Sequence, residues 1–390
     1  MTRVLALLFL VCAVVAPPAA RGQVALPLPQ VPTVGGVVDQ TGDLTREVER
    51  PLQDLRRTQV RDLLRAHRGE LEADPQGMPI VGRQILAFGM NAPAIEQART
   101  QGFQIVRTDA LDADASLVTL RAPAGMSTRR ALRRLRRADP NGVYDFDHLH
   151  FESGVALVVV GFSQSGAAGS GPRIGLIDSG VGNVRVAEAR AFASDAPVAG
   201  THGSTVARLI SNAAPGARIY AADIYGGAPT GGASSALARA LSWLASENVA
   251  VINVSLVGPR NRVVEAVVAR LLARGFVVVA AVGNDGPAAG PLFPASYDGV
   301  IGVTGVDERD RVLIEAGRGA QVDFAALGVD GRVRGTSYAA PIVTARLASR
   351  MNAPNVPAAQ SAIAALRTEA RDLGPNGRDD VYGYGLISAR

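Results

Sequence analysis

The chain of 390 residues carries 40 basic and 35 acidic residues, a net charge of +5, and every basic residue is an arginine. The lack of lysine excludes Ser-Lys dyads, Schiff-base catalysis and the lysine of a phosphate-binding loop. An apolar content of 47% is sufficient for a packed core, which argues against a wholly disordered chain. The length suits two domains and a leader.

The first 22 residues have the pattern of a secretory signal peptide. Arg3 precedes an apolar run from Val4 to Ala16 that is too short for a membrane span, and small residues and prolines follow up to Gly22. The only cysteine, Cys12, lies in this segment, so the mature chain would hold no disulfide. We therefore expect a secreted or periplasmic protein without a membrane span after cleavage.

Residues 23–78 are predicted to form a spacer followed by a charged helical segment. The chain is rich in Pro, Val and Gly without any period up to about residue 45. From Leu44 to Leu71 it is charged, with apolar residues at helical spacing, which predicts a helix.

Residues 79–152 alternate in the order β-α-β-β-α-β, which is typical of a smaller, ferredoxin-like domain. Strands are predicted at 83–89, 103–111, 116–123 and 142–151, and helices at 92–102 and along the Arg-rich run 129–137. This run contains no aromatic residue, so a solvated helix face is favoured over nucleic-acid binding. His148 and His150 share a face of the last strand, but no third ligand is near them in the sequence, and no metal site is expected.

Residues 153–171 are mostly small, which predicts a linker and an accessible cleavage region. In residues 172–390, short apolar runs such as RIGLID, VAVINVSL and FVVVAAVGN alternate with helical stretches. Such runs indicate parallel strands buried on both faces. The predicted fold class is therefore α/β, a mostly parallel sheet with helices on both faces. Ligand sites in such sheets lie at the carboxyl ends of the strands.

Four polar residues occupy positions of this kind. Asp178 ends RIGLID, Asn284 ends FVVVAAVGN, and His202 and Ser337 open predicted helices. Each has a structural alternative, such as a loop cap for Asp178, a turn for Asn284 and an N-cap for Ser337. His202 is the only histidine after residue 151, and a general base is the first interpretation of it. The order Asp, His, Ser is that of subtilisin and differs from the order in chymotrypsin and in α/β-hydrolases.

The local motifs agree with this order, because the chain resembles the subtilisin-like serine proteases (subtilases) from about Gly171 to Arg390. The matching stretches are IGLIDSGV, THGSTVA, VVVAAVGNDG and GTSYAAP, together with VINVSLVGP and VYGYGLISA. The resemblance implies that Ser337 attacks a peptide carbonyl, that His202 transfers the proton and that Asp178 holds the imidazole. It also implies that the Asn284 amide and the Ser337 N–H bind the oxyanion.

The resemblance further implies that Ser255, Leu256, Val257 and Gly258 form a substrate-binding strand that pairs with the peptide backbone. Val257 replaces a glycine of the family pattern, so we expect a narrow specificity pocket and a preference for small or medium apolar side chains. Ser204-Thr205 stands where the family usually has a second histidine, which puts the packing beneath the general base in doubt. No cofactor and no metal ligand are predicted, and for the oxygen-rich loop 372–380 a solvated turn is favoured over a calcium site.

Pro341 adds a local hypothesis. In a regular helix the N–H of residue 341 would bond to the carbonyl of Ser337, and proline has no N–H. We hypothesise that this loosens the first turn and leaves the backbone of Ser337 free to serve the oxyanion.

Many secreted subtilases carry an N-terminal propeptide with a ferredoxin-like fold. Residues 79–152 are therefore expected to assist folding, to inhibit the protease and to be released by a cut between about Glu152 and Gly171. The expected function is that of a secreted serine endopeptidase, made as a zymogen and acting on proteins or peptides. Two alternatives stay open, a peptide-binding pseudoenzyme and an esterase or acyltransferase with the same triad.

Overall fold

A computed structural model describes residues 46–153, 170–194, 196–331 and 333–388. The predicted signal peptide, the predicted spacer up to residue 45 and most of the predicted linker lie outside the described residues. Within the described ranges, no helix has the length and apolarity that crossing a membrane requires.

Residues 46–153 form a first unit with a long helix at its start. Its elements are α1 (Arg46–Ala66), β1 (Leu71–Ala73), β2 (Pro79–Phe88), α2 (Ala92–Thr100), β3 (Gln104–Ala110), β4 (Ser116–Arg121), α3 (Thr128–Ala138), β5 (Val143–His148) and β6 (Phe151–Glu152).

The sheet of the first unit is antiparallel, with the strand order β5-β2-β4-β3. The short strand β1 also pairs with the beginning of β2, so the sheet starts earlier than the predicted boundary at residue 79. The cause is a tight turn, in which the Asp74 carboxylate accepts the N–H groups of Gln76 and Met78, each at 2.8 Å. One face of this sheet packs on α2 and α3, around residues such as Ile85, Val118 and Leu132.

The second unit follows from residue 170 onward. Its strands are β7 (Arg173–Asp178), β8 (Glu188–Ala191), β9 (Arg218–Asp223), β10 (Val251–Val254), β11 (Leu256–Val257), β12 (Val277–Ala281), β13 (Ile301–Val306), β14 (Phe324–Leu327), β15 (Val329–Asp330) and β16 (Val333–Arg334). Its helices are α4 (Thr201–Ala213), α5 (Ser234–Ser246), α6 (Arg262–Ala273), α7 (Thr336–Ala348) and α8 (Val356–Glu369).

Seven strands of the second unit form one parallel sheet in the order β14-β13-β12-β10-β7-β9-β8. Side chains alternate across it, so Val278 and Ala280 face the core under α5 and α6, and Val277 and Val279 face the core under α4, α7 and α8. Burial on both faces explains why these strands are continuous apolar runs. The predicted α/β class with a mostly parallel sheet is confirmed.

The two units share a hydrophobic core. The second face of the antiparallel sheet places Leu86 and Leu117 in the cluster that contains α5 and α6. This face is therefore buried against the outer surface of those two helices rather than against solvent.

The sequence predicted one strand over 142–151, whereas the structure has two short strands. The chain leaves the antiparallel sheet after His148, because Leu149 pairs with Ala233 and the His150 N–H donates to the Gly232 carbonyl at 2.8 Å. These contacts direct residues 151–153 across the second unit.

Two carboxylates of β5 cap helices of the second unit. Asp147 accepts the N–H of Ser235 at 2.9 Å and its hydroxyl at 2.7 Å, at the beginning of α5. Asp145 accepts the N–H of Arg262 at 2.8 Å, at the beginning of α6. The first N–H groups of a helix have no partner within the helix, so these contacts satisfy donors that would otherwise lack a partner in the protein.

Replacing Asp147 should therefore weaken the contact between the units. Asp147→Ala leaves the Ser235 N–H without an acceptor, and we expect a loss of about 1–3 kcal/mol in the free energy of unfolding. The measurement is urea unfolding in a Ser337→Ala background, in which the chain should stay intact. Glu96→Ala, which removes an exposed carboxylate on α2, is the control; equal midpoints for the two variants would contradict the assignment.

Candidate active site

Two strand ends and two helix beginnings meet at one edge of the parallel sheet. Asp178 is the last residue of β7, Asn284 follows β12, and His202 and Ser337 lie in the first turns of α4 and α7. Parallel strands end at the same edge, so residues far apart in the chain come together there. Asp178, His202 and Ser337 are each at most 2% exposed.

The His202 imidazole is held by Asp178. Its Nδ1 lies 2.8 and 3.0 Å from the two carboxylate oxygens, a geometry in which Nδ1–H donates and the carboxylate accepts. The other nitrogen, Nε2, is buried and has no hydrogen-bond partner among the described residues. Nε2 is therefore the nitrogen that is free to exchange a proton.

Two carboxyl groups, those of Asp178 and Glu152, affect the pKa of His202. Burial alone lowers the pKa of His202, but the charges of Asp178 and Glu152 outweigh it and raise the pKa to about 9. Burial raises the pKa of the Glu152 carboxyl, with His202 acting in the opposite direction. The sequence gives Glu152 no role in the active site, because it lies outside the motifs that match the family and reaches His202 only through the path of the chain after β5.

Ser337 faces a carbonyl of the first unit. Its backbone N–H donates to the Ser153 carbonyl at 3.1 Å, and its hydroxyl lies within hydrogen-bond distance of the carbonyls of Ser153 and Ser255. The Ser153 carbonyl thus occupies a position next to both the hydroxyl and the first free N–H of the helix.

Asn284 contacts the same residue from the other side. Its side-chain amide donates to the Ser153 hydroxyl at 3.2 Å, and its carbonyl oxygen accepts the Thr336 N–H at 3.0 Å. The second bond fixes the orientation of the amide, so its donor end points at Ser153.

Residues 151–153 lie along the edge of the second unit as an added strand. Glu152 is opposite Leu256 and Phe151 is opposite Val257 in an antiparallel pair, and the Ser153 N–H donates to the Ser255 carbonyl at 3.3 Å. Of the four predicted substrate-binding residues, three therefore contact this strand through the backbone. Gly258 pairs instead with Phe293, and a Cβ at Gly258 would lie 2.5 Å from the His150 ring.

A family model described as the subtilase family matches residues 169–385, more than half of the chain. The chain belongs to the subtilase family. Subtilisin DY of Bacillus licheniformis is 29% identical over 266 residues, covering 60% of this chain and 96% of the relative. Minor extracellular protease Epr of Bacillus subtilis (strain 168) is 27% identical over 250 residues, covering 57% of this chain and 39% of the relative.

Solved structures show the same fold. Fervidolysin from Fervidobacterium pennivorans aligns with a TM-score of 0.65 at 18% identity, covering 82% of this chain and 61% of its own. The epidermin leader peptide processing serine protease of Staphylococcus aureus aligns with a TM-score of 0.56 at 15% identity, covering 79% of this chain and 97% of its own. Both alignments cover more of this subtilase than the family match does.

The Ser337 carbonyl, which would bond to the N–H of residue 341 in a regular helix, has a different partner in this subtilase because residue 341 is proline. The Ser255 hydroxyl donates to the Ser337 carbonyl at 3.1 Å and accepts from the Asn253 amide at 2.8 Å. Thr344 in turn donates to the Asn253 carbonyl oxygen at 2.9 Å. This buried chain of hydrogen bonds ties the turn that carries Ser337 to β10 and to the interior of α7.

Ser204, in the region where a second histidine is usual in the family, makes two hydrogen bonds with its hydroxyl. Its hydroxyl donates to the Gly200 carbonyl at 2.6 Å and accepts the Gly182 N–H at 2.9 Å. The beginning of α4 is thereby bound to the loop that follows Asp178.

Among the described residues, the one group of three potential metal ligands is Glu152, Asp178 and His202. Both carboxylate oxygens of Asp178 lie within hydrogen-bond distance of Nδ1 of His202. In the loop 372–380, Asp372 accepts the N–H of Gly377, and Asp379 accepts those of Val381 and Tyr382. The carboxylates of Asp372 and Asp379 therefore accept hydrogen bonds from the backbone of their own segment.

Gly203 should be required for the position of His202. A Cβ at Gly203 would lie 2.1 Å from the Ser179 carbonyl oxygen, so Gly203→Ala must push α4 away from the end of β7. A displacement of about 1 Å can cost about 10²-fold in rate, and we expect a loss of that order in the hydrolysis of casein. The control is Thr205→Ala, whose hydroxyl bonds only within α4 to Thr201. Equal activity in the two variants would show that the close contact is unimportant.

Proposed function

We propose that this subtilase is a serine endopeptidase made as an inactive precursor, with Ser337 as nucleophile, His202 as general base and Asp178 as the residue that orients it. The observation that carries the proposal is the position of the Ser153 carbonyl. It accepts the Ser337 N–H at 3.1 Å while residues 151–153 lie along β11 like a bound peptide. A peptide backbone held as an added strand is what such a cleft would bind in any substrate.

We propose the following reaction at these residues. The Ser337 hydroxyl attacks the carbonyl carbon, and its proton moves to Nε2 of His202, while Asp178 stabilises the imidazolium through Nδ1–H. The Ser337 N–H and the Asn284 amide stabilise the oxyanion. The carbon–nitrogen bond then breaks, His202 gives the proton to the leaving amine, and water hydrolyses the acyl-enzyme.

The first substrate would be the chain itself, cut between Ser153 and Gly154. Residues 79–152 would act as the propeptide, and the cut strand would stay in the cleft as an inhibitor until it is released. The caps from Asp145 and Asp147 and the shared core support this role, because they hold the first unit on the second independently of the cleft. The predicted leader supports export to the periplasm or the outside, and one relative is named an extracellular protease.

Two other functions are weaker on specific grounds. A pseudoenzyme that only binds peptides would not need the bond between Nδ1 of His202 and Asp178. An esterase would gain little from a strand that binds successive backbone N–H and C=O groups, since a simple ester lacks them.

Self-cleavage gives the sharpest test of the proposal. Wild type should yield a fragment whose N-terminal residue is Gly154, and Ser337→Ala should remain uncut, as measured by N-terminal sequencing and mass spectrometry. A fluorophosphonate should label Ser337 in the wild type only. Equal processing of both chains would show that another protease makes the cut.

The specificity pocket should favour small and medium apolar side chains before the scissile bond. A Cβ at Gly283 would lie 3.5 Å from Val257 Cγ1 and 2.5 Å from Leu292 Cδ1, so both side chains crowd this part of the cleft. A peptide series varied only at that residue should be cleaved fastest after Ala or Val. Val257→Gly should raise the rate after Phe and Tyr relative to the wild type. Fastest cleavage after Phe or Tyr by the wild type would refute a narrow pocket.

A further inference from the structure

We propose that Glu152 sets the pH dependence of self-cleavage, because its carboxylate holds His202 in the protonated form that cannot accept the Ser337 proton. The inference rests on the proposed function and goes beyond it, since it assigns a regulatory charge to the propeptide strand itself.

The position of Glu152 is determined by the backbone. Its pairing with Leu256 and the bond from the Ser153 N–H to the Ser255 carbonyl leave little freedom in where its side chain begins. A carboxylate oxygen of Glu152, one of Asp178 and a ring nitrogen of His202 all lie within 4.8 Å of one another. Two carboxyl groups therefore face a single imidazole, and of the three groups Asp178 and His202 are buried and Glu152 is half-buried.

The surrounding groups act on Glu152 in both directions. Asp223, on β9, is a third carboxylate, and together with Asp178 it raises the pKa of the Glu152 carboxyl, whereas the charge of His202 and a hydrogen bond with the Ser179 side chain lower that pKa. Burial raises the pKa of Tyr225 and of Tyr338, whose ring centre is 5.5 Å from that of His202, so both stay neutral. Among the described residues, Arg56 on α1 is a cation that acts on Tyr225, and it pairs with Asp285 at 2.8 Å and lies over the Phe151 ring.

The sign of the pH dependence follows from these charges. A general base must be neutral, and with a pKa of about 9 His202 is mostly imidazolium at neutral pH. Self-cleavage of the precursor should therefore speed up as the pH rises and level off near pH 9. Removing the Glu152 charge lowers the pKa of His202, so the neutral form becomes available at lower pH.

The effect of Glu152 on His202 would end after self-cleavage. When the cut strand leaves the cleft, Glu152 leaves with it, and His202 faces Asp178 alone. The released enzyme should then work at a lower pH than its own precursor needs for the first cut.

The test compares Glu152→Gln with the wild-type precursor. Glutamine keeps the shape and removes the charge, and Glu96→Gln, on the exposed face of α2, is the matched control. Each precursor is diluted from urea into buffers from pH 6 to pH 10, and the conversion is followed on gels. Glu152→Gln should shift the midpoint of the pH–rate profile downward and cleave faster at pH 7, by about tenfold for each unit by which the pKa of His202 falls.

Superimposable profiles for the wild type and Glu152→Gln would overturn the inference while leaving the proposed function intact. Failure of every precursor to convert, together with no fluorophosphonate labelling of Ser337, would instead refute the proposed function.

A second measurement needs no turnover. In the uncut Ser337→Ala precursor, the pKa of His202 can be measured by NMR titration of its ring, with and without Glu152→Gln. A lower value in the double variant supports the inference, and an equal value overturns it. Thermal unfolding of the two chains shows whether the substitution disturbs the docked strand.

Discussion

The antiparallel pairing of β6 with β11 is the interaction on which the site depends. Its hydrogen bonds join backbone to backbone, so they specify the path of residues 151–153 whatever the side chains are. That path brings the Ser153 carbonyl to the Ser337 N–H and the Glu152 carboxylate to His202. The pair is short, and the contacts of Leu149 and His150 with residues 232–233 hold it from the N-terminal side.

Backbone N–H groups at the beginnings of helices also hold the first unit on the second. Three helices of the second unit begin with N–H groups that lack partners within the helix, and residues 145–153 supply an oxygen to each. Asp147 serves α5, Asp145 serves α6, and the Ser153 carbonyl serves α7. The first two acceptors are side-chain carboxylates, whereas the third is the carbonyl of the bond proposed to be cut, so docking and catalysis use the same kind of backbone donor.

Short segments of the sequence were sufficient to predict those features that depend on residues close together in the chain. The apolar runs predicted the buried parallel sheet, and the residues at their ends predicted the edge at which Asp178, His202, Asn284 and Ser337 meet. The proline in GTSYAAP predicted a free carbonyl at Ser337, but not that Ser255 would fill it, because the two residues are 82 positions apart. Likewise, the sequence shows that Ser204 stands in the region of a histidine that is usual in the family. Only the fold shows that its hydroxyl accepts the Gly182 N–H.

The sequence by itself determined the fold class and the residues of the candidate triad, since each depends on periodicity or on residues that are close along the chain. The tertiary structure decided which groups lie next to the residues of the candidate triad. The turn at Asp74 extended the first sheet, the path after His148 divided the last predicted strand, and that path carried Glu152 to His202. Such contacts depend on where distant segments dock, and nothing in the composition around Glu152 distinguishes it from an ordinary surface carboxylate.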